Sequence, residues 1–571
     1  MDGSATAAGS GMNARDAVPS IWTTGLTEVF KTGTWRAALP QHIHAPSPCH
    51  AACPVNGDIA EWIGRARARD WHGAWQILTR HNPFPAVTGR ICHHPCEAAC
   101  NRSGFDESLA ICRLERYVGD AALAQGWTFA PIETPRKERI AIVGGGPSGL
   151  SAAFHLRRRG YAVTLYESRP EPGGLMRYGI PAYRLARSVL DGEIARLVAL
   201  GIDVRCGQSI DTPEYFERLR NGFDAVYLAI GARCQQRLPR LDYTRPWVMD
   251  GADYLARTNS GAPPALGKRV VVIGGGSAAI DVARSARRAQ HEVTIVALES
   301  ASRMPAQREE VAEAMEEGVA LIDGAMLTEV SDAGSAGLTF ECVRVRFEAG
   351  AQRGQFTVTP VADSQFSLAA DAVITAIGQN PDLAPLRAAF KADGALLKVD
   401  ECQATSVERV YAGGDVASMA RFVTEAIGMG QRAAREIDRM LRGSVQSADR
   451  GSHDAGACVE AEPIVEFSAI NEFYYPRQAR AVEHRLDAAQ RLASVAEVQI
   501  GFEVEQALAE SERCFSCGTC IQCDNCVHYC PDLAVKREAN GYVVLTDYCK
   551  GCGICVKECP TGSMKMIEEA R

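Results

Sequence analysis

Eight cysteines near the C-terminus fall in two runs of identical spacing. Cys520, Cys523, Cys526 and Cys530 precede Pro531, and Cys549, Cys552, Cys555 and Cys559 precede Pro560. Each run is C-x2-C-x2-C-x3-C-P. That spacing predicts two 4Fe–4S clusters, in which the fourth cysteine of each run ligates the other cluster. One cluster would use Cys520, Cys523, Cys526 and Cys559, and the other Cys549, Cys552, Cys555 and Cys530. Structural zinc also uses C-x2-C pairs, but a duplicated four-cysteine run closed each time by proline points to iron–sulfur and to one-electron chemistry.

Two glycine-rich turns supply the other chemistry. Residues 139–150, RIAIVGGGPSGL, place an apolar run ahead of Gly144-x-Gly146-x-x-Gly149. A helical pattern, a second apolar run at 161–166 and Glu167 follow. This is a βαβ unit with an acid about 20 residues beyond the glycines. Its glycines let the backbone approach a pyrophosphate at a helix N-terminus, and Glu167 would accept from a ribose. A second unit at 269–298 carries Gly274 and Gly276, with Ala279 in the third glycine position. Two units imply two dinucleotides.

The remaining motifs carry a family resemblance. Residues 410–416, VYAGGDV, follow Thr405 and resemble the last FAD-contacting segment of glutathione-reductase-type flavoproteins; residues 371–382, DAVITAIGQNPD, resemble the segment before it. By that resemblance the first unit with 370–440 binds FAD, through Gly144, Gly146, Gly149, Glu167, Gly174, Thr405, Gly414 and Asp415. The second unit, inserted, binds the nicotinamide nucleotide. Disulfide reductases of this fold carry a redox cysteine pair. Here Cys206, Cys234, Cys342 and Cys402 are single and far apart, which predicts buried inert thiols and an electron exit through the clusters.

Residues 41–120 hold a second cysteine group: Cys49, Cys53, Cys92, Cys96, Cys100 and Cys112. With GGLMRYGIPAYRL at 173–185 and the two nucleotide units, the layout over 40–440 resembles the glutamate synthase small-subunit family, also the N-terminal module of dihydropyrimidine dehydrogenase. The resemblance implies two N-terminal 4Fe–4S clusters. One would use Cys53, Cys92 and Cys96, with Glu115 in the family's Gln or Glu position. The other would use Cys49 and Cys100 with two ligands whose family positions are here Gln41 and His44. LAESERCFSCG at 508–518 has the context of that missing pair, so Cys514 and Cys517 are expected to fold back, within the chain or across a dimer. The alternative is a single N-terminal cluster, with Cys514 and Cys517 spare and Cys112 or His44 an odd ligand. His42, His44, His93 and His94 flank the cysteines and are expected as surroundings rather than ligands.

NADPH-using members of the family end the second unit's strand in Tyr-Arg-Arg. Here the stretch is Ala297-Leu298-Glu299-Ser300. Glu299 stands where the second arginine would, and a carboxylate there accepts from ribose hydroxyls and repels a 2′-phosphate. NAD(H) is therefore expected over NADP(H), with Gly274, Gly276, Ala279 and Glu299 at the site. Arg303 is the residue that could instead reach a phosphate, and Glu299 could be a solvated surface acid.

The 571 residues imply several domains, and a net charge of −8 argues against nucleic acid as a partner. No stretch approaches the ~20 apolar residues of a membrane span. The 21 cysteines cluster at ligand spacing, which points to a reducing cytoplasm. The expected architecture is multidomain: a disordered 1–20, where Met12 could be the start; an α-helical Fe–S domain at 21–135; a glutathione-reductase-like α/β flavoprotein, with its FAD domain at 136–262 and 365–442 and its NAD(P) domain at 263–364; a linker at 443–465; a connecting segment at 466–513 packed on the flavoprotein body; and an α+β bacterial-type ferredoxin domain at 514–571. The expected function is hydride exchange between nicotinamide and the N5 atom of FAD, coupled to one-electron steps through clusters. The chain would be an electron-transfer subunit of a hetero-oligomer such as a 2-oxoacid:acceptor oxidoreductase. The glutamate synthase small subunit and a free-standing NAD(P)H:ferredoxin oxidoreductase are the alternatives.

Overall fold

The computed structural model describes residues 36–332, 338–350, 355–387, 389–443, 463–539 and 541–569. The expected disordered N-terminus and nearly all of the expected linker lie outside the described residues.

Two five-stranded parallel sheets form the body. In the first the order is 410–412, 225–228, 139–143, 162–166, 203–205. In the second it is 320–322, 292–296, 269–273, 372–375, 248–250. Arg139–Val143 and Arg269–Ile273 are short apolar strands that pair on both sides, and their interior residues are buried on both faces of the sheet. In each sheet the strand order turns back at this central strand. The crevice at such a switch point is where α/β sheets bind ligands, and each glycine-rich turn opens there.

The second sheet corrects two expected boundaries. Val248–Asp250 and Ala372–Thr375 both pair within it, although the sequence reading assigned them to the FAD domain. A four-residue apolar run fits any buried parallel strand, and its periodicity does not say which sheet it joins. An antiparallel sheet of Ala325–Asp332, Leu338–Ala349 and Phe356–Ala370 covers one face of the second sheet, packing Phe340 against Val271, Val296 and Val373.

The helical domain contains Ile59–Arg67, Trp71–Leu78, Pro85–Ile91 and Ile111–Ala124 around Trp62, Trp75 and Leu114. The long helix Val423–Arg442 joins this domain to the FAD sheet. A Cβ on Gly428 would lie 2.2 Å from the Pro54 carbonyl oxygen, and one on Gly430 would lie 2.3 Å from the Ser148 carbonyl oxygen. Two glycines thus let one helix touch both the chain beside Cys53 and the FAD glycine turn.

The connecting segment does not rest mainly on the flavoprotein body. Its helix Val504–Glu512 packs into the Fe–S domain core through Ala507, beside Phe502. Arg513 is fully buried there, pairing with Glu510 at 2.7 Å and Asp106 at 3.1 Å, while Arg102 donates to the Arg513 carbonyl at 2.7 Å. Earlier in the segment, Arg491 pairs with Glu316 of the second nucleotide domain at 2.7 Å, and Val498 N–H donates to the Tyr183 carbonyl at 2.9 Å. The sequence marks 466–513 as a connecting segment but does not say which face it would meet. Arg513→Ala would remove the arginine that pairs with the buried Glu510 carboxylate and one of the two arginines on half-buried Asp106, so the unfolding free energy should fall by about 3–5 kcal/mol, measured by chemical denaturation of the full chain. A loss under 1 kcal/mol would mean the network is water-accessible.

The ferredoxin domain is not confined to 514–571. Strand Ala38–His42 pairs antiparallel with Met564–Glu568 at its far end. Arg36 donates to the Cys549 carbonyl at 3.0 Å and pairs with Glu569 at 2.7 Å. The N-terminal segment expected in the helical domain therefore clamps the C-terminal one. Asn471 adds a bond to the Lys557 carbonyl at 2.7 Å, and Tyr475 donates to the Phe515 carbonyl at 2.9 Å.

Candidate functional site: nucleotide crevices and four thiol sites

At the first crevice the glycine turn is as tight as its sequence requires. A Cβ on Gly149 would lie 1.9 Å from the Gly144 carbonyl oxygen, while Gly146 faces nothing nearer than the Gly174 Cα at 3.9 Å. The opening at Gly146 is the space a pyrophosphate needs above the N-terminus of helix Pro147–Arg158. Glu167 is buried and accepts from the backbone N–H groups of Gly145 and Arg169, both at 2.7 Å. Gly414 lies beside Ser148, and burial raises the Asp415 carboxyl above its usual range despite Arg421. These residues converge and fit FAD.

Thr405 does not join them. Its hydroxyl donates to the Val410 carbonyl at 2.8 Å and the Val407 carbonyl at 3.2 Å. It sits beside the start of strand Val410–Ala412, while Gly413–Asp415 follow the strand's other end. Thr405 shapes the turn into the strand, which corrects its expected place at the cofactor.

The second crevice repeats the pattern. A Cβ on Gly275 would lie 2.5 Å from Glu299 Oε2, much as one on Gly145 would lie 2.9 Å from Glu167 Oε2. Each acid thus leans over the middle glycine of its own turn. Gly274 packs on the Ala376 carbonyl, the Ala279 Cβ fills the third-glycine position, and Gly276 is open. Burial raises the Glu299 carboxyl above its ordinary value, which separates it from a solvated surface acid. Arg303 is exposed in the turn Ala301–Arg303.

The metal-ligand candidates fall in four places. Cys53, Cys92, Cys96 and Glu115 are mutual neighbours: Glu115 and Cys92 both raise Cys53, after burial, to about 12, and Cys53 and Cys92 raise Cys96 further. Asn82 and Thr88 both donate to Glu115 Oε1 at 2.6 Å. Burial with the nearby Cys92 holds this carboxyl up at about 8. Cys112 is buried against Cys92 and donates to the Thr88 carbonyl at 3.5 Å. Cys49, Cys100, Cys514 and Cys517 line one cavity. Cys520, Cys523, Cys526 and Cys559 line another, with Cys530 set among Cys549, Cys552 and Cys555. Burial pushes most of these thiols up, Cys526 and Cys555 to about 12. Packed neutral thiols of this kind suit a cationic centre that deprotonates them on binding.

Tetrahedral zinc, with Zn–S near 2.3 Å, draws its thiolates to one point. Among the described residues no three His, Cys, Asp or Glu side chains gather tightly enough for a single ion. Eight of the thiols line two cavities, four in each.

Sequence reasoning missed what meets the first thiol site. Thr424 Oγ1 lies 3.8 Å from Cys92 Sγ, and Phe422 stacks on His93 with ring centroids 3.9 Å apart. Both are at the start of helix Val423–Arg442, seven and nine residues past Asp415 in the chain. The helix was visible as a pattern; the residue it would touch was not. His42 packs edge-on to Tyr542, so it joins the surroundings of the ferredoxin clusters. The expectation of buried inert thiols holds for Cys342 alone: Cys206 and Cys234 are exposed and Cys402 is half-buried, being in loops and at strand edges rather than in the core.

Comparison with known proteins agrees with this anatomy. Residues 138–430 match pyridine nucleotide-disulphide oxidoreductase, 44–127 match dihydropyrimidine dehydrogenase domain II, 4Fe-4S cluster, and 519–564 match a 4Fe-4S dicluster domain. The chain is 34% identical over 514 residues to the NADP(+)-dependent formate dehydrogenase subunit beta of Moorella thermoacetica, covering 84% of this chain and 72% of that one. It is 32% identical over 514 residues to the NADPH-Fe(3+) oxidoreductase subunit beta of Geobacter sulfurreducens, covering 82% and 75%. It is 32% identical over 402 residues to the NAD-dependent dihydropyrimidine dehydrogenase subunit PreT of Escherichia coli, covering 70% and 92%. No helix among the described residues is long and apolar enough to cross a membrane. The chain belongs to the pyridine nucleotide-disulphide oxidoreductase family, with 4Fe–4S domains fused on both sides of a body that takes FAD and a nicotinamide nucleotide.

Proposed function

We propose that this chain is the NAD(H)-linked electron-transfer subunit of a hetero-oligomer, exchanging electrons between a nicotinamide and a catalytic partner. One observation carries the reading. The helix that follows Asp415 presents Thr424 to Cys92, so the flavin crevice abuts a thiol site. Cys206, Cys234, Cys342 and Cys402 stand far apart in the sequence. When bound, FAD converts a two-electron hydride into single electrons and the clusters store them one at a time.

The protein's own residues do the positioning. Gly144, Gly146 and Gly149 admit the pyrophosphate, Glu167 and Asp415 hold polar groups of the flavin nucleotide, and Glu299 receives the nicotinamide nucleotide's adenosine ribose. Arg184 pairs with Asp281 at 2.7 Å and with Glu310 at 2.5 Å, which ties the two nucleotide domains together. The preference for NAD(H) rests on Glu299, whose placement over Gly275 parallels that of Glu167. Relatives whose names specify NADP and NAD both occur. A partner subunit is supported by relatives named as subunits of formate dehydrogenase, Fe(3+) oxidoreductase and dihydropyrimidine dehydrogenase.

Anaerobic purification of the intact chain from its source, followed by mass spectrometry, tests the subunit assignment. A stoichiometric companion with its own catalytic cofactor is the expected result. Recovery alone, with NADH-driven reduction of a separate ferredoxin intact, would contradict it.

A further inference from the structure

We propose that Cys49, Cys100, Cys514 and Cys517 hold a 4Fe–4S cluster built from the two ends of one chain, and that this cluster is the obligatory one-electron bridge to the ferredoxin domain. The bridging role rests on the electron-transfer reading above; the cluster site itself does not. Neither matched 4Fe–4S domain, 44–127 or 519–564, contains Cys514 or Cys517.

Geometry at the four thiols carries the site. They line one cavity together with Ile59, Ile63 and Phe515. Cys514, Cys100 and Cys517 are the thiols that, after burial, push Cys49 up. Cys514 and Cys517 are raised by burial to about 11 and about 12. Asn101 Nδ2 donates to Cys517 Sγ at 3.5 Å, and Ser47 Oγ lies 3.1 Å from Cys49 Sγ. The pair is thus brought to Cys49 and Cys100 within one chain, so no second copy is needed.

A second observation comes from the backbone. At Cys520 and Cys549, each the first cysteine of a ferredoxin run, the N–H two residues on donates to the cysteine sulfur at 3.4 Å, from a residue with φ of +56° at Gln522 and +68° at Gly551. Cys92 repeats this through His94, at 3.4 Å and +58°. Cys514 repeats it through Ser516, at 3.4 Å and +51°. A non-glycine residue held at positive φ costs energy and persists where its surroundings require it. A spare thiol needs no such turn. A sulfur that will carry charge is stabilised by the aimed N–H.

Chain connectivity places this site in the middle of a series. Cys49 lies in the short helix Pro48–Ala52, whose C-cap is Cys53, and Cys96 lies in Pro95–Ala98, just ahead of Cys100. Both links join it to the Cys53, Cys92, Cys96 and Glu115 site at the flavin side. On its other side Cys517 is three residues from Cys520. Gly518 N–H donates to the Thr561 carbonyl at 2.7 Å, and Tyr475, bonded to the Phe515 and Pro560 carbonyls at 2.9 and 3.3 Å, feels the thiols of Cys514, Cys517 and Cys559. NADH yields NAD+, a proton released to solvent and two electrons. Cys49, Cys100, Cys514 and Cys517 would hold a one-electron carrier between the Cys53, Cys92, Cys96 and Glu115 site and the ferredoxin site, so the two electrons would pass one at a time. The reverse order serves NAD+ reduction.

The test uses the full chain, reconstituted anaerobically, as wild type, Cys514→Ser/Cys517→Ser and, from the opposite end of the chain, Cys100→Ser. Cys206→Ser/Cys234→Ser is the control. The proposal expects about sixteen irons per chain in wild type and control, and about twelve in each bridge variant, at four per cluster. FAD content and flavin bleaching by NADH should persist in the bridge variants. Electron passage between flavin and ferredoxin clusters, followed by electron paramagnetic resonance after freeze-quench, should slow at least about 100-fold. Undiminished iron in both bridge variants would overturn the site. Lost iron with undiminished passage would overturn the bridge. If one variant fails to retain FAD, the other carries the measurement. Failure of NADH to bleach flavin even in wild type would overturn the electron-transfer reading and leave the iron count standing.

Discussion

Gly149→Ala should yield a chain that keeps its iron and purifies without flavin. The added Cβ would sit 1.9 Å from the Gly144 carbonyl oxygen, and that carbonyl belongs to the turn that must stay tight for a pyrophosphate to approach. Neither atom is the end of a flexible side chain, so the strain falls on backbone. Overpacking of this kind costs about 1–3 kcal/mol. Relief requires Pro147–Arg158 to move off strand Arg139–Val143, which opens the cradle itself. Flavin affinity should drop by about 5- to 100-fold, since each 1.4 kcal/mol is tenfold. Absorbance and iron assay on the purified variant check this. A flavin-replete Gly149→Ala protein would mean that the turn relaxes without cost and that the first crevice is not the FAD site.

The second large effect concerns the choice of nicotinamide. Glu299→Ala should lower kcat/KM for NADH by about tenfold or more, because a charged hydrogen bond to the ribose is worth roughly 1.5–3 kcal/mol. The same change should raise kcat/KM for NADPH by about 10- to 100-fold, as removing a like charge from a bound phosphate relieves up to several kcal/mol. The sign for each cofactor follows from one carboxylate that leans over Gly275. Steady-state rates with an artificial one-electron acceptor separate the two effects. Equal efficiency of wild type with NADH and NADPH, or a variant unchanged with both, would remove Glu299 from the site and return attention to Arg303.

What was legible in the sequence was local. Glycine turns, their acids and the C-x2-C-x2-C-x3-C-P runs each lie within about 30 residues, and the nucleotide crevices and ferredoxin sites follow from them. Contacts made across the whole chain were not legible. Ala38–His42 is a five-residue strand containing a proline, with no alternation to announce it, and its partner lies more than 500 residues away. Without that pairing, residues 36–42 read as the front of the helical domain. Ala372–Thr375 is apolar throughout, which marks burial but not the sheet. Thr405 precedes a flavin-type GGD and looked like part of it, until its hydroxyl proved to be bonded within its own turn. Cys514 and Cys517 stood out because they were surplus to the ferredoxin runs, yet only the packing of helix Val504–Glu512 on the Fe–S domain carries them to Cys49 and Cys100.

The central claim is that nicotinamide, flavin and clusters form one conducting chain. It is tested most directly by reducing the intact protein with dithionite, desalting it anaerobically and mixing it rapidly with NAD+. The account predicts that NADH forms while the reduced-cluster resonance signals fall, with one NADH for every two electrons lost. Reoxidation of the flavin with the reduced cluster signals left standing would contradict it.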